Sequence, residues 1–171
     1  QMCLDTGLPP GNLLGIPWRV AFALQNDGWI LRQDIIWSKV SCVPESCTNR
    51  CTKSHEYIFL LAKKSKYYYD NEAIKEKAEY PEDDRGSRPD NRRGTECNHS
   101  GGAPNSITRN KRSVWSPKPE PFPLAHFATY PPDLIKPCIM AGTRCGDVVL
   151  DPFGGSGTTG QVALELGRSA T

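Results

Sequence analysis

The 171 residues carry 21 Lys and Arg against 19 Asp and Glu, with 15 Gly, 15 Pro and seven Cys. Such a length supports a single sizeable core, and no apolar run approaches the roughly 20 residues that a membrane-spanning helix needs. A net charge of +2 is too small to mark a nucleic-acid binder by itself, and an odd number of irregularly spaced cysteines without a signal-like opening speaks against an exported disulfide scaffold and for free thiols in a reducing cytoplasm.

In chain order, Leu14 to Asn26 reads as a helix, with Leu14, Val20 and Leu24 near one face, Pro17 in the first turn and Gly28 as the stop. Trp29 to Trp37 reads as a strand and Ser41 to Lys53 as a loop. Glu56 to Ala62 is the clearest strand, and Lys66 to Tyr69 is expected to pair with it through a tight turn. From about Asp70 to Pro123 no apolar period survives, so this is a long irregular insert. Its basic residues are Arg85, Arg88, Arg92, Arg93, Arg109, Lys111 and Arg112, preceded by the acidic Glu79, Glu82, Asp83 and Asp84. Pro131 to Met140 is helix-like, Asp147 to Leu150 a short buried strand and Thr158 to Leu166 a helix. Alternating strands and helices imply an α/β sheet with mostly parallel strands. Gln1 in place of Met, and a close at Thr171 where a helix should hand over to a strand, give the expectation of a chain incomplete at both ends.

The densest chemical signal is Leu150-Asp151-Pro152-Phe153-Gly154-Gly155-Ser156-Gly157-Thr158-Thr159-Gly160. A β-branched strand runs into a carboxylate, a glycine-rich turn and a helix start, the place where open α/β sheets bind ligands. A nucleoside triphosphate would need Lys after the last turn glycine, and none follows Gly157. The stretch Gly155 to Gly160 does satisfy the dinucleotide pattern G-x-G-x-x-G, although the confirming acid about 20 positions on would fall beyond Thr171. S-adenosylmethionine is the third candidate, with Asp151 accepting from its cationic amino group. A structural turn without ligand is the fourth.

Several segments together carry a family resemblance. Asp151 to Thr159 resembles the cofactor motif of the DNA amino-methyltransferases. His126-Phe127-Ala128-Thr129-Tyr130-Pro131-Pro132-Asp133-Leu134-Ile135 resembles the segment that covers the methionine part of the donor there. Asp34 to Lys39, Pro44-Glu45-Ser46, Ser54 to Lys63 and Ser113-Val114-Trp115 also recur in that family, in the same order. With the cofactor turn last, the order is that of the circularly permuted beta class.

The resemblance implies a Rossmann-like methyltransferase fold, a mixed and mostly parallel sheet flanked by helices. It assigns residues 1–69 to the central part of that domain, residues 70–123 to a variable target-recognition insert and residues 124–171 to the donor-binding part. It further implies transfer of methyl from S-adenosylmethionine to cytosine N4 or adenine N6 in double-stranded DNA, in a bacterial or phage cytoplasm. A cognate restriction endonuclease acting on the same site is the implied partner. Donor contacts fall to Asp151, Pro152, Phe153, Gly154, Gly155, Ser156, Gly157, Thr158, Thr159, His126, Phe127, Ala128 and Thr129. DNA contacts fall to the seven basic residues of the insert, through phosphates and guanine edges. The family's catalytic motif, Asp- or Ser-Pro-Pro followed by an aromatic residue, is not within residues 1–171, and Tyr130-Pro131-Pro132-Asp133 has similar letters only in reverse. This piece alone is therefore expected to be inactive. A dinucleotide-dependent oxidoreductase and a non-catalytic DNA-binding remnant stay open as alternatives.

Two further groups are weighed. Cys42, Cys47, Cys51 and His55 are spaced too loosely for a zinc site, so no metal is expected, and His55 is read as fixing a strand start. Trp18, Trp29 and Trp37 are read as core or sheet-face residues, and Phe153 as either packed near the donor's adenine or placed in the core.

Overall fold

The structure, a computed structural model, describes residues 11–78, 107–118 and 129–171. The chain forms two compact units, Gln1–Tyr67 and Tyr68–Thr171. Among the described residues no helix is long and apolar enough to cross a membrane.

In the first unit, helix α1 (Ile16–Asn26) has Pro in its first turn, where the missing N–H has no intrahelical role. It ends in two reversed hydrogen bonds, Gly28 N to Gln25 O and Trp29 N to Leu24 O. These satisfy the last carbonyls only because Gly28 takes φ 93°, a left-handed conformation that costs other residues a Cβ clash. The face turned inward passes through Trp18, Ala21 and Leu24. Val20, expected on that face, is 53 % exposed. Leu24 lies on the inward face as expected, and the buried Ala21 takes the place read for Val20.

Strands β1 (Ile30–Ser38) and β2 (His55–Ala62) pair antiparallel, from Ile30 against Ala62 to Ser38 against His55, with a shift of register between Leu31 and Gln33. Alternation puts Tyr57 and Phe59 on one face of β2, their ring centroids 6.0 Å apart. Trp18 meets both edge-on, at 5.6 and 5.0 Å, so α1 lies over that face. Aromatic edge-to-face contacts of this kind add about 0.5–1.5 kcal/mol each to burial. The expected strand at Lys66 to Tyr69 does not form: the chain bends from Lys63 to Lys66, and β2 takes its partner from β1. Tyr67 is held by its side chain instead, with Arg32 Nε donating to its hydroxyl at 3.2 Å.

The second unit opens with a short 3-10 turn, Glu72–Ile74. Strand β3 (Glu76–Lys77) then pairs antiparallel with β4 (Thr108–Arg109), and Ala78 N donates to Ile107 O at 2.9 Å. These contacts form a short stem of residues 76–78 against 107–109. A short strand β5 (Val114–Trp115) follows, its buried indole donating to Arg112 O at 2.6 Å.

Helix α2 (Pro132–Gly142), strand β6 (Val148–Val149), helix α3 (Thr158–Glu165) and strand β7 (Ser169–Ala170) complete the unit. β6 and β7 run parallel, Val148 beside Ser169 and Val149 beside Ala170, with α3 as the crossover between them. Ile139 of α2 packs on Val162 and Ala163 of α3, with Ile135, Val149 and Leu166 around them. Arg168 ties the two helix ends together. Its guanidinium donates to Thr143 O at 2.9 Å, to Thr143 Oγ1 at 3.1 Å and to Leu166 O, placing a fixed cation where both helices present unpaired carbonyls.

Candidate functional site

The site is built where β6 stops. After Val149 the chain leaves the ladder at Asp151, whose N–H donates to Thr171 O at 3.0 Å. The turn then folds on itself, Gly157 N donating to Gly154 O at 2.7 Å, and α3 begins. Gly157 caps that helix at φ 79° and Gly155 sits at φ 51°, both left-handed. Both turn positions therefore suit glycine for a backbone reason, independent of any ligand.

Asp151 is the focus of the site. Its Oδ1 accepts from the Phe153 amide at 3.0 Å, and its Oδ2 from the Thr159 hydroxyl at 2.5 Å. The Tyr130 hydroxyl lies 3.4 Å from the same Oδ2 and also bonds Thr159 Oγ1. The Thr159 bond above all holds the Asp151 carboxyl below its ordinary range, against partial burial, with the Phe153 amide and the Tyr130 hydroxyl assisting. All three donors are neutral. Among the described residues no cation pairs with this half-buried carboxylate at the mouth of the turn.

The structure brings most of the expected donor residues together around Asp151. Pro152, Phe153, Gly154, Gly155 and Gly157 are exposed, so the turn is open rather than plugged. Phe153 is 90 % exposed, which rules out the core role considered for it. Thr158 and Thr159 are buried and face inward, Thr158 sharing a 2.9 Å hydroxyl pair with Ser156 and Thr159 serving Asp151. Thr129 is half-buried beside Tyr130. His126, Phe127 and Ala128 lie outside the described residues. Tyr130 was missed at the sequence level. The available signal was its place in the segment covering the donor, but nothing local says that its hydroxyl meets a carboxylate 21 residues away.

Of the basic residues expected to meet DNA, Arg85, Arg88, Arg92 and Arg93 lie outside the described residues. Arg109 and Arg112 both donate to Glu76 Oε1, at 2.9 and 2.7 Å. Burial pushes the Glu76 carboxyl up, but the two guanidinium bonds outweigh it and the net shift is downward. Part of that positive charge is thus spent on closing the stem. Lys111 lies 5.1 Å over the Trp115 ring.

Among the described residues no three His, Cys, Asp or Glu side chains group as a metal site would require. His55 Nε2 instead meets the Tyr57 hydroxyl at 3.3 Å at the start of β2, and Cys47 donates to Asn49 Oδ1. Trp18 is a sheet-face residue, as expected.

Comparison with known proteins adds an independent line. Residues 3–171 match the model of a family described as DNA methylase. The chain is 51 % identical over 162 residues to the type II methyltransferase M.SmaI of Serratia marcescens, covering 95 % of this chain and 48 % of that protein. It is 49 % identical to the type II methyltransferase M.Cfr9I of Citrobacter freundii, covering 95 % and 46 %. The chain thus spans about half the length of the curated relatives it matches. Among solved structures, PvuII DNA methyltransferase (cytosine-N4-specific) superposes with a TM-score of 0.61 at 20 % identity, over 92 % of this chain and 54 % of that one. An M1.HpyAVI–SAM complex gives 0.57 at 21 %, over 93 % and 63 %. These two likenesses establish the α/β methyltransferase fold.

Proposed function

Since this chain belongs to the DNA methylase family, we propose that it forms the donor-binding and target-reading parts of a DNA methyltransferase that uses S-adenosylmethionine. The acceptor is the exocyclic amino group of cytosine or adenine in double-stranded DNA. The observation that carries this reading is the Asp151 carboxylate at the open end of β6, with which no cation pairs among the described residues.

The residues present fit the donor. An ammonium group needs a fixed anion, and Asp151 offers one whose direction is set by three neutral donors. Approach to the backbone at Gly157 is unobstructed, since a Cβ built there would meet nothing within 4 Å. When bound, the donor supplies an electrophilic methyl carried on sulfonium. Asp151 would orient its amino-acid end, and Pro152 to Gly157 would hold the rest. Phe153, exposed beside the turn, would cover the flat adenine. Thr158 and Thr159 act behind these contacts, through Ser156 and Asp151.

An amine conjugated to a ring is a poor nucleophile, so transfer also needs groups that align it and accept its hydrogen bonds. The Pro-Pro-aromatic motif implied for that task is not within residues 1–171. The base must also leave the duplex stack to be reached. Residues 70–123 contribute target reading, with Arg85, Arg88, Arg92, Arg93, Lys111 and the stem arginines Arg109 and Arg112 near phosphates or base edges. A restriction endonuclease sharing the recognition site is the partner consistent with the type II relatives.

A dinucleotide reading of the same turn is disfavoured by Gly160. Its third glycine should be one that packing requires, yet a Cβ there meets only the Ala170 side chain at an ordinary 3.6 Å. Equilibrium dialysis with labelled S-adenosylmethionine tests the proposal. Asp151→Asn, which keeps the shape and removes the charge, should weaken binding by roughly tenfold or more. Equal binding by both proteins would remove its main support.

A further inference from the structure

Tyr130 sits two residues before α2, and Thr159 is the second residue of α3. Their hydroxyls bond each other, and Thr159 passes the chain on to Asp151 Oδ2. A hydroxyl has one proton to give and two lone pairs to receive with. With Thr159 donating to the carboxylate, the Tyr130 hydroxyl shares its proton between Thr159 Oγ1 and Asp151 Oδ2, 3.4 Å away. Thr159 is only 6 % exposed, so its hydroxyl has few alternatives to these partners. The start of α2 is thereby stitched to the start of α3 across the very oxygen expected to receive an ammonium group.

We propose that Tyr130 is a positioning residue for the donor's amino-acid end: through Thr159 it locks the Asp151 carboxylate in its receiving orientation without neutralising it. This rests on the reading of the turn as a donor site. The choice of neutral donors is the point. A Lys or Arg in place of Tyr130 would fix the carboxylate equally well but would consume the charge a cationic ligand needs. A phenol and an alcohol leave that charge in place while removing the side chain's torsional freedom, so less ordering remains to be done on binding. A Phe would fill the same space and do neither.

The test separates positioning from mere shape by using two probes. S-adenosylhomocysteine carries the ammonium group; 5′-methylthioadenosine has the same nucleoside and thioether but lacks the amino acid. Saturation-transfer NMR on the 171-residue chain reads affinities down to the millimolar range. Tyr130→Phe should weaken S-adenosylhomocysteine roughly five- to tenfold and leave 5′-methylthioadenosine unchanged. Thr159→Val cuts the same chain at its other link. It should show the same selectivity, and the double variant should lose no more than the worse single one. That second variant carries the test if Tyr130→Phe fails to fold. Equal loss for both probes would make Tyr130 a wall of the pocket and overturn the inference, as would no loss for either. Wild-type protein binding neither probe would sink the donor-site reading itself, and this inference with it.

Discussion

An aspartate held by three neutral donors behaves differently from one in an ion pair, and pH exposes the difference. Its carboxyl is held below the ordinary range by the Thr159 hydroxyl first, and by the Phe153 amide and Tyr130 hydroxyl. A depressed folded-state value means the stabilisation is complete above the unfolded value, about 3.9, and is lost as pH falls through the folded one. Donor affinity should therefore stay flat from neutral pH down to about pH 4.5 and fall only below the usual carboxylate range. Titration calorimetry across that range checks it, and a decline beginning near pH 6 would point to a histidine instead. Cys138 gives a second residue-scale test. Burial pushes its thiol up to about 11, against exposed Cys51 and Cys145. Maleimide at neutral pH should label both exposed thiols well before Cys138, as peptide mapping would show. The turn at Asp151 was legible from sequence because a carboxylate there follows a β-branched strand and precedes glycines. Tyr130 was not, because its partnership is made by folding over 21 residues.

At the scale of elements, glycines sort by backbone and not by motif. Gly157 sits at φ 79° at the start of α3, whereas Gly160 lies inside the helix with room for a methyl group against Ala170. Gly157→Ala should cost about 1–2 kcal/mol for the left-handed conformation. Gly160→Ala should be neutral or stabilising by up to about 1 kcal/mol through helix propensity. Opposite shifts of the thermal midpoint are expected, and a large loss from Gly160→Ala would mean that its packing, not its conformation, was decisive. The helix ends were readable: Gly28 stops α1, and Gly167 at φ 73° closes α3 the same way, with Arg168 N donating to Ala163 O. On α1 Val20 alone of the three expected face residues is exposed, with Ala21 buried in its place, since periodicity fixes spacing while the contacting surface fixes phase. The strand expected at Lys66 to Tyr69 failed for a related reason. Tyrosines favour extended chain, but here their side chains are committed to partners such as Arg32 and Arg144.

For the molecule as a whole, the pairing of β3 with β4 left no mark in the sequence. Two-residue strands such as β3 and β4 leave no periodic trace, and the Glu76 clamp on Arg109 and Arg112 joins residues more than 30 positions apart. Arg92→Ala with Arg93→Ala, in the complete protein, should weaken DNA binding and lower its salt slope by about two charges. Filter binding from low to moderate salt reads this, and an unchanged slope would move the DNA contact elsewhere. Val148 and Leu150 are 64 % and 70 % exposed, so one face of the β6–β7 pair is bare while the other packs on α2 and α3. Together with a length about half that of the relatives, this leads us to expect no methyl transfer to DNA by residues 1–171 alone.

A crystal structure of the chain with S-adenosylhomocysteine tests most directly whether Asp151 anchors the donor. The expected result is the ligand's ammonium nitrogen within hydrogen-bond distance of an Asp151 carboxylate oxygen, with its thioether end along the Phe153–Gly157 turn. A ligand seated elsewhere, or Asp151 rotated onto a basic side chain with the turn filled, would contradict it.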